Sequence, residues 1–211
     1  MTGQAVTREA REASQVTAGD PVAVIEDLFA GEGAADYLGE AVTQAEHMLQ
    51  AADLAEQAGA PPALIAAALL HDVGHFTGTI TGRDLMRGTD NRHSDQGAVW
   101  LEQWFGAEVT EPVRLHVAAK RYLCAVEPDY LAKLSPASVY TLGVQGGPMS
   151  PDEVTAFRAR TYWQDACKVR RWDDEAKDPA VRPPSFSHFA PYLRSLAAAA
   201  SASGAGPVQQ R

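Results

Sequence analysis

The sequence predicts an all-α, single-domain protein, and three observations carry that prediction. Apolar residues recur at three- and four-residue steps, Ser-Pro pairs mark helix starts, and no segment alternates apolar and polar residues long enough for a strand. With 211 residues the chain is long enough to bury one core. Residues 1–20 are polar and aperiodic and 197–211 are rich in Ala, Ser and Gly, so the folded domain is expected over 21–196 with mobile ends.

Taken in order, Ala41, Ala45, Met48, Ala52 and Ala55 form an apolar stripe that Gly59 and Pro61 close. Pro62 to Val73 reads as a second helix, apolar nearly all round and therefore central. Residues 76–92 lack periodicity and predict a long loop. Helices resume over Ser94–Phe105 and Val113–Leu123, the latter with Pro112 in a first-turn position. Ser135-Pro136 and Ser150-Pro151 are N-cap signals, and Glu153 completes a capping box for a helix running over 151–173.

Composition narrows the function. Hydrophobic residues make up 45% and charged residues 21%, a globular balance. A net charge of −9 argues against a sequence-independent grip on nucleic acid, and an anionic substrate would need positive charge supplied locally. Cys124 and Cys167 lack zinc-ligand spacing and read as ordinary side chains of a reducing compartment. The N-terminal stretch has no signal-peptide core, and the longest apolar run, 63–70, falls well short of the roughly 20 residues that cross a bilayer. A cytoplasmic protein with no membrane partner is expected.

The chemistry concentrates in ALLHDVGHF, residues 68–76. A buried helix there ends in His71 and Asp72, Gly74 breaks it, and His75 follows. A buried carboxylate is costly unless it meets a cation, and neutral imidazole with carboxylate suits iron, manganese or zinc. His47 shares a helical face with Tyr37, Glu40 and Gln44, His93 follows the long loop, and His116 shares a face with Lys120. Late in the chain stand Asp165, Asp173 and Asp174. Singly, each residue is as readily structural. Together they make a metal site the better reading.

These residues follow the ligand pattern of the HD superfamily. The segments YLGEAVTQAEHMLQ, ALLHDVGH, LHVAAKRYL, LSPASVYTL with QGGPM, and RRWDDEAK resemble more closely the phosphonate-cleaving HD-domain oxygenases, from about Tyr37 to Lys177. The resemblance implies an HD-domain helical bundle with a mixed-valent Fe(II)/Fe(III) pair. Its ligands would be His47, His71, Asp72, His93, His116 and Asp173, with Asp72 bridging and Asp165 as the fallback for Asp173. His75, Lys120, Ser138, Thr141 and Gln145 match positions that hold the phosphonate group. Lysine offers a point charge, and Ser138, Thr141 and Gln145 fall on one helical face. Tyr37 and Glu40 match a lid pair: the tyrosine occupies the open iron position until substrate arrives, and the glutamate meets the substrate's amino end.

The implied activity is cleavage of the carbon–phosphorus bond of a 1-hydroxyphosphonate with dioxygen as co-substrate. A 2-amino substituent would give glycine and a 2-trimethylammonio substituent glycine betaine, each with phosphate. The alternative is a metal-dependent phosphohydrolase acting on a nucleotide or phosphate ester, because two metals and the same ligands also serve hydrolysis. The Tyr37/Glu40 pair and the HVAAKRYL context favour the oxygenase.

Overall fold

The computed structural model describes residues 20–31, 40–77 and 92–202, which form ten α-helices, one short 3-10 turn and, among the described residues, no strand. The first helix, α1 (Pro21–Ala30), begins at Asp20, whose carboxylate accepts from the Val22 amide at 3.1 Å ahead of Pro21. Thr43 and Glu46 form a reciprocal capping box at the head of α2 (Gln44–Gln57). Then come α3 (Pro62–Leu70), the short α4 (Gly74–Thr77) and α5 (His93–Leu101). The longest helix, α6 (Ala107–Val126), leads through the 3-10 turn (Leu131–Lys133) to α7 (Pro136–Val144) and α8 (Pro151–Arg158). The chain finishes with α9 (Trp163–Glu175) and α10 (Phe186–Ala202).

The central helix is α3, packed against α2, α6, α9 and α10, with every residue from Leu64 to Leu70 buried. Its alanines, with Ala51, Ala52 and Ala55 of α2, let backbones approach closely around Leu69, Leu70 and Met48. Each fully buried Leu or Met contributes about 1.5–3 kcal/mol relative to exposure. A second apolar cluster fills the far side of α6, where Tyr122, Leu123, Tyr130, Phe157 and Ala166 meet. The described residues contain no helix long and apolar enough to cross a membrane.

Four expectations are corrected. The helix from Pro62 ends at Leu70 rather than Val73, because His71–Val73 turn to bring Gly74 against α5. A Cβ on Gly74 would lie 1.9 Å from the His93 carbonyl oxygen and 2.9 Å from the Gly97 amide, so only glycine fits that crossing. Pro112 stands inside α6, not in its first turn, since the helix already begins at Ala107 behind Gly106. The 151–173 segment is two helices: residues six apart on one straight helix would diverge, whereas the break brings Phe157 and Trp163 to within 5.0 and 5.6 Å of the Tyr122 ring. Finally, the Ala-rich end does not begin as a mobile tail at 197, because α10 runs on to Ala202. Tyr37, residues 78–91 within the expected loop, and residues 1–19 and 203–211 lie outside the described residues.

Candidate metal centre

Five helical segments converge on one buried point. His47 comes from α2, His71 and Asp72 from the turn after α3, His93 from the first position of α5, His116 from α6 and Asp173 from α9. All six are buried, with His47 and His71 fully so. The side chains are held from behind. His47 Nδ1 donates to the Ala176 carbonyl at 2.9 Å, His71 Nδ1 to Ala68 at 2.8 Å and His116 Nδ1 to Val113 at 2.7 Å. A carbonyl only accepts, so each of these Nδ1 atoms carries a proton, and in the neutral ring the Nε2 atom presents a lone pair.

Those lone pairs face one another. His47 Nε2 lies 3.0 Å from His71 Nε2, and His93 Nε2 lies 3.2 Å from His116 Nε2. Between His47 and His71, two such lone pairs repel unless a cation draws them together. Donor atoms about 3.0 Å apart subtend close to a right angle at an ion with bonds of about 2.1 Å, as neighbouring ligands of a six-coordinate metal do. The donor set therefore fits a metal.

Asp72 faces both pairs at once. Its Oδ2 lies 3.8 Å from His47 Nε2 and 3.6 Å from His71 Nε2, while Oδ1 lies 3.3 Å from His93 and 3.5 Å from His116. Asp173 stands on the first side, with Oδ1 3.5 Å from His47 and Oδ2 3.8 Å from His71. His47, His71 and Asp72 form one group close enough to share an ion, and Asp72, His75 and His93 another. His75 stacks on His93 with ring centroids 4.1 Å apart.

Protonation suits metal binding. Burial pushes His47 down to about 4 and His75 to about 3, keeping both neutral at ordinary pH. Burial opposes ionisation of Asp173, but the Arg170 guanidinium 2.7 Å away, Lys177 and the neighbouring histidines together outweigh it and hold the carboxyl well below its usual range. Burial likewise opposes ionisation of Asp72, yet its carboxyl is held well below the usual carboxylate range, with the Gln44 amide donating to Oδ2 at 3.0 Å. Neutral imidazoles around ionised carboxylates are what a divalent or trivalent cation requires.

Beside this cluster runs a polar wall built on α7. Lys120 of α6, 2% exposed, donates to Thr141 Oγ1 at 2.9 Å, and burial pushes its amine down to about 7. One turn away, Lys177 donates to Ser138 Oγ at 3.0 Å. Gln145 caps α7, and its Oε1 is buried without a hydrogen-bond partner among the described residues. Its position follows from QGG: Gly146 and Gly147 have φ of 102° and 72°, and the Gly147 amide closes back on Leu142 at 2.8 Å. Arg121 Nε clamps the Gly147 carbonyl at 2.8 Å. Glu40 lies at the rim, accepting from Ser135 Oγ at 2.5 Å and 3.5 Å from Lys177 Nζ.

Of the candidates named from the sequence, His47, His71, Asp72, His75, His93, His116 and Asp173 come together in the cluster. Glu40, Lys120, Ser138 and Thr141 belong to the wall beside it, Gln145 caps α7, and Tyr37 lies outside the described residues. Asp165, the fallback ligand, instead pairs on the surface with Lys168 at 2.9 Å. Three contributors were not picked as site residues. Gln44 donates to Asp72 Oδ2 at 3.0 Å, and its place one turn before His47 was the available signal. Arg170 and Lys177 flank Asp173, at 2.7 and 3.9 Å, spaced three before and four after it along the chain.

Comparisons with known proteins agree with the geometry. The HD domain family model matches residues 45–143. The chain is similar to a [1-hydroxy-2-(trimethylamino)ethyl]phosphonate dioxygenase (glycine-betaine-forming) of Leisingera caerulea, 44% identical over 88% of this chain and 94% of that protein. It is also similar to a hydroxymethylphosphonate dioxygenase of Gimesia maris, 41% identical over 82% of this chain and 86% of that protein.

Proposed function

Because this chain belongs to the HD-domain hydroxyphosphonate dioxygenases, we propose that it cleaves the carbon–phosphorus bond of a 1-hydroxyphosphonate with dioxygen, giving phosphate and a carboxylic acid. One dioxygen balances the reaction: C1 is oxidised to the carboxyl level, the C–P bond breaks, and no external reductant is consumed. The 2-trimethylammonio substrate, which gives glycine betaine, and its 2-amino counterpart, which gives glycine, are the substrates put forward.

The observation that supports this most is the Asp72 carboxylate, with one oxygen toward His47 and His71 and the other toward His93 and His116. A carboxylate so placed suits a bridge between two ions. His47, His71 and Asp173 would hold one iron, and His93 and His116 the other, in an Fe(II)/Fe(III) pair. When bound, the irons supply Lewis acidity toward the hydroxyl and phosphonate oxygens and the electron transfer that dioxygen chemistry requires.

The remaining work falls to side chains. Lys120, with Thr141 at its ammonium, offers positive charge and donors to the phosphonate inside a chain of net charge −9. Ser138, His75 and Gln145, whose buried Oε1 has no hydrogen-bond partner among the described residues, would supply further polar contacts to the phosphonate. Fixing the phosphonate fixes C1 relative to the cluster, and such positioning is worth several kcal/mol. Glu40 would meet the cationic end of the substrate, and Tyr37 would close the site until substrate displaces it.

The test is phosphate release from candidate 1-hydroxyphosphonates by iron-loaded protein, with and without dioxygen, alongside iron counted per chain. Two irons and strictly oxygen-dependent release are expected. Undiminished release in anaerobic buffer would make the protein a phosphohydrolase instead.

A further inference from the structure

Lys177 has two carboxylates and a hydroxyl around its ammonium, and the proposed reaction gives it no part. Its Nζ lies 3.0 Å from Ser138 Oγ, 3.5 Å from Glu40 Oε1 and 3.9 Å from Asp173 Oδ1. Both Lys177 and Glu40 side chains are only 11% exposed, so the pair is poorly screened. Glu40 is further anchored by Ser135 Oγ at 2.5 Å. A single ammonium group thus separates Glu40 from the carboxylate of Asp173.

From this juxtaposition we infer that Lys177 is a specificity-determining residue, an internal counter-ion that competes with the cationic head of the substrate for Glu40. The inference rests on the proposed function, since it needs Glu40 to face the substituent on C2. Charge decides the consequence. A substrate with an ammonium or trimethylammonium head must share or displace the Lys177 contact before it can use Glu40. A substrate without a positive head, such as hydroxymethylphosphonate, has nothing to gain from Glu40 and meets no competition. Lys177 therefore narrows the preference for cationic substrates that Glu40 alone would create, and it does so entirely through Glu40. Its anchor on Ser138 keeps the ammonium within reach of Glu40.

The experiment is anaerobic titration calorimetry of the iron-loaded enzyme with two ligands, the trimethylammonio 1-hydroxyphosphonate and hydroxymethylphosphonate. The ratio of their Kd values cancels effects on folding and on phosphonate binding that the two share. Lys177→Met and, as a hydrogen-bonding replacement that can still reach Ser138, Lys177→Gln should both shift the ratio toward the cationic ligand. The expected shift is about three- to tenfold, the scale of a partly buried charge pair. Glu40→Gln should shift the ratio the other way, and adding Lys177→Met to Glu40→Gln should change it no further. An unchanged ratio in both Lys177 variants, or a shift that persists without Glu40, would overturn the inference while wild-type oxygen-dependent phosphate release left the functional reading standing. Failure of the wild type to bind or turn over either ligand would overturn both.

Discussion

The two halves of the cluster share Asp72 but are built differently. On the side of His47, His71 and Asp173, all three side chains ride on α2, the end of α3 and α9, and both imidazoles are pinned by backbone carbonyls and fully buried. Arg170, itself buried, holds Asp173 at 2.7 Å and also bonds Asp174, which takes the Tyr130 hydroxyl. The opposite half starts from the first residue of α5, behind Arg92 in a left-handed conformation (φ 47°) with no side-chain cap. His93 remains 5% exposed there, and His75 leans on it from a four-residue helix. One half is locked by its packing throughout, while the other joins His116, equally pinned on α6, to His93 and His75 on two short elements. That asymmetry fits a division in which one metal is retained and the other is approached by substrate.

The largest expected effect removes the distinction between the halves. Asp72→Ala would take a ligand from both and leave the two proposed ions without the negative charge between them. Metal content should fall below about a tenth of the wild-type value, and turnover with it. Metal analysis checks this, with circular dichroism to confirm that the helices persist. Retention of one full equivalent would mean that the halves bind independently and that Asp72 is not shared.

A smaller perturbation should strike one half alone. Gly74→Ala places a methyl group 1.9 Å from the His93 carbonyl oxygen, so α5 has to move and carry His93 with it. Neither His47 nor Asp173 lies on an element that touches this crossing through a glycine. The expected result is loss of one metal of two and a stability cost of about 1–3 kcal/mol in urea unfolding. Equal loss of both metals would show that the locked half depends on its neighbour.

Much of this centre was legible in the sequence, for identifiable reasons. His71 and Asp72 stand at the end of an apolar helix, where a buried carboxylate demands a cation. The choice of Asp173 over Asp165 rests on the RRWDDEAK resemblance, and the structure places Asp173 on the buried face of α9 with Ala166, Val169 and Arg170. What could not be read depends on distance along the chain. Gln44 reaches Asp72 across 28 positions and Lys177 reaches Ser138 across 39; the place of Gln44 one turn before His47 hints at the first contact but does not name its partner, and no local pattern announces the second. The break between α8 and α9 was missed for the same reason, since its cause, the Tyr122 ring, belongs to α6. Helix α1 was not anticipated, although its Asp20 cap and Pro21 are local features at the boundary drawn for the domain.

The smallest expected effect belongs to the α7 wall and is a matter of protonation. Burial, helped by the nearby Arg170, lowers the Lys120 amine to about 7, although Asp173 and Asp174 pull it upward. Below that pH the amine is a cation and can hold a phosphonate; above it the neutral amine offers only weak hydrogen bonds. Substrate affinity should therefore weaken as pH rises through about 7, by at most tenfold per unit because one proton is involved. The phosphonate's own ionisation also falls in this range, so the comparison is with Lys120→Arg, whose side chain stays charged and should lose the enzyme's part of the dependence. Lys120→Ala should raise KM about tenfold at pH 6.5 yet keep its full metal content, which would separate a substrate clamp from a structural residue. Stability gives an independent reading of the same group. Between about 7 and the ordinary lysine value the unfolded chain binds the extra proton, so wild-type stability should rise with pH across that window, and Lys120→Met should remove the rise. A wild-type and Lys120→Met pair with parallel stability profiles would place the Lys120 proton elsewhere and detach the α7 wall from the pH dependence.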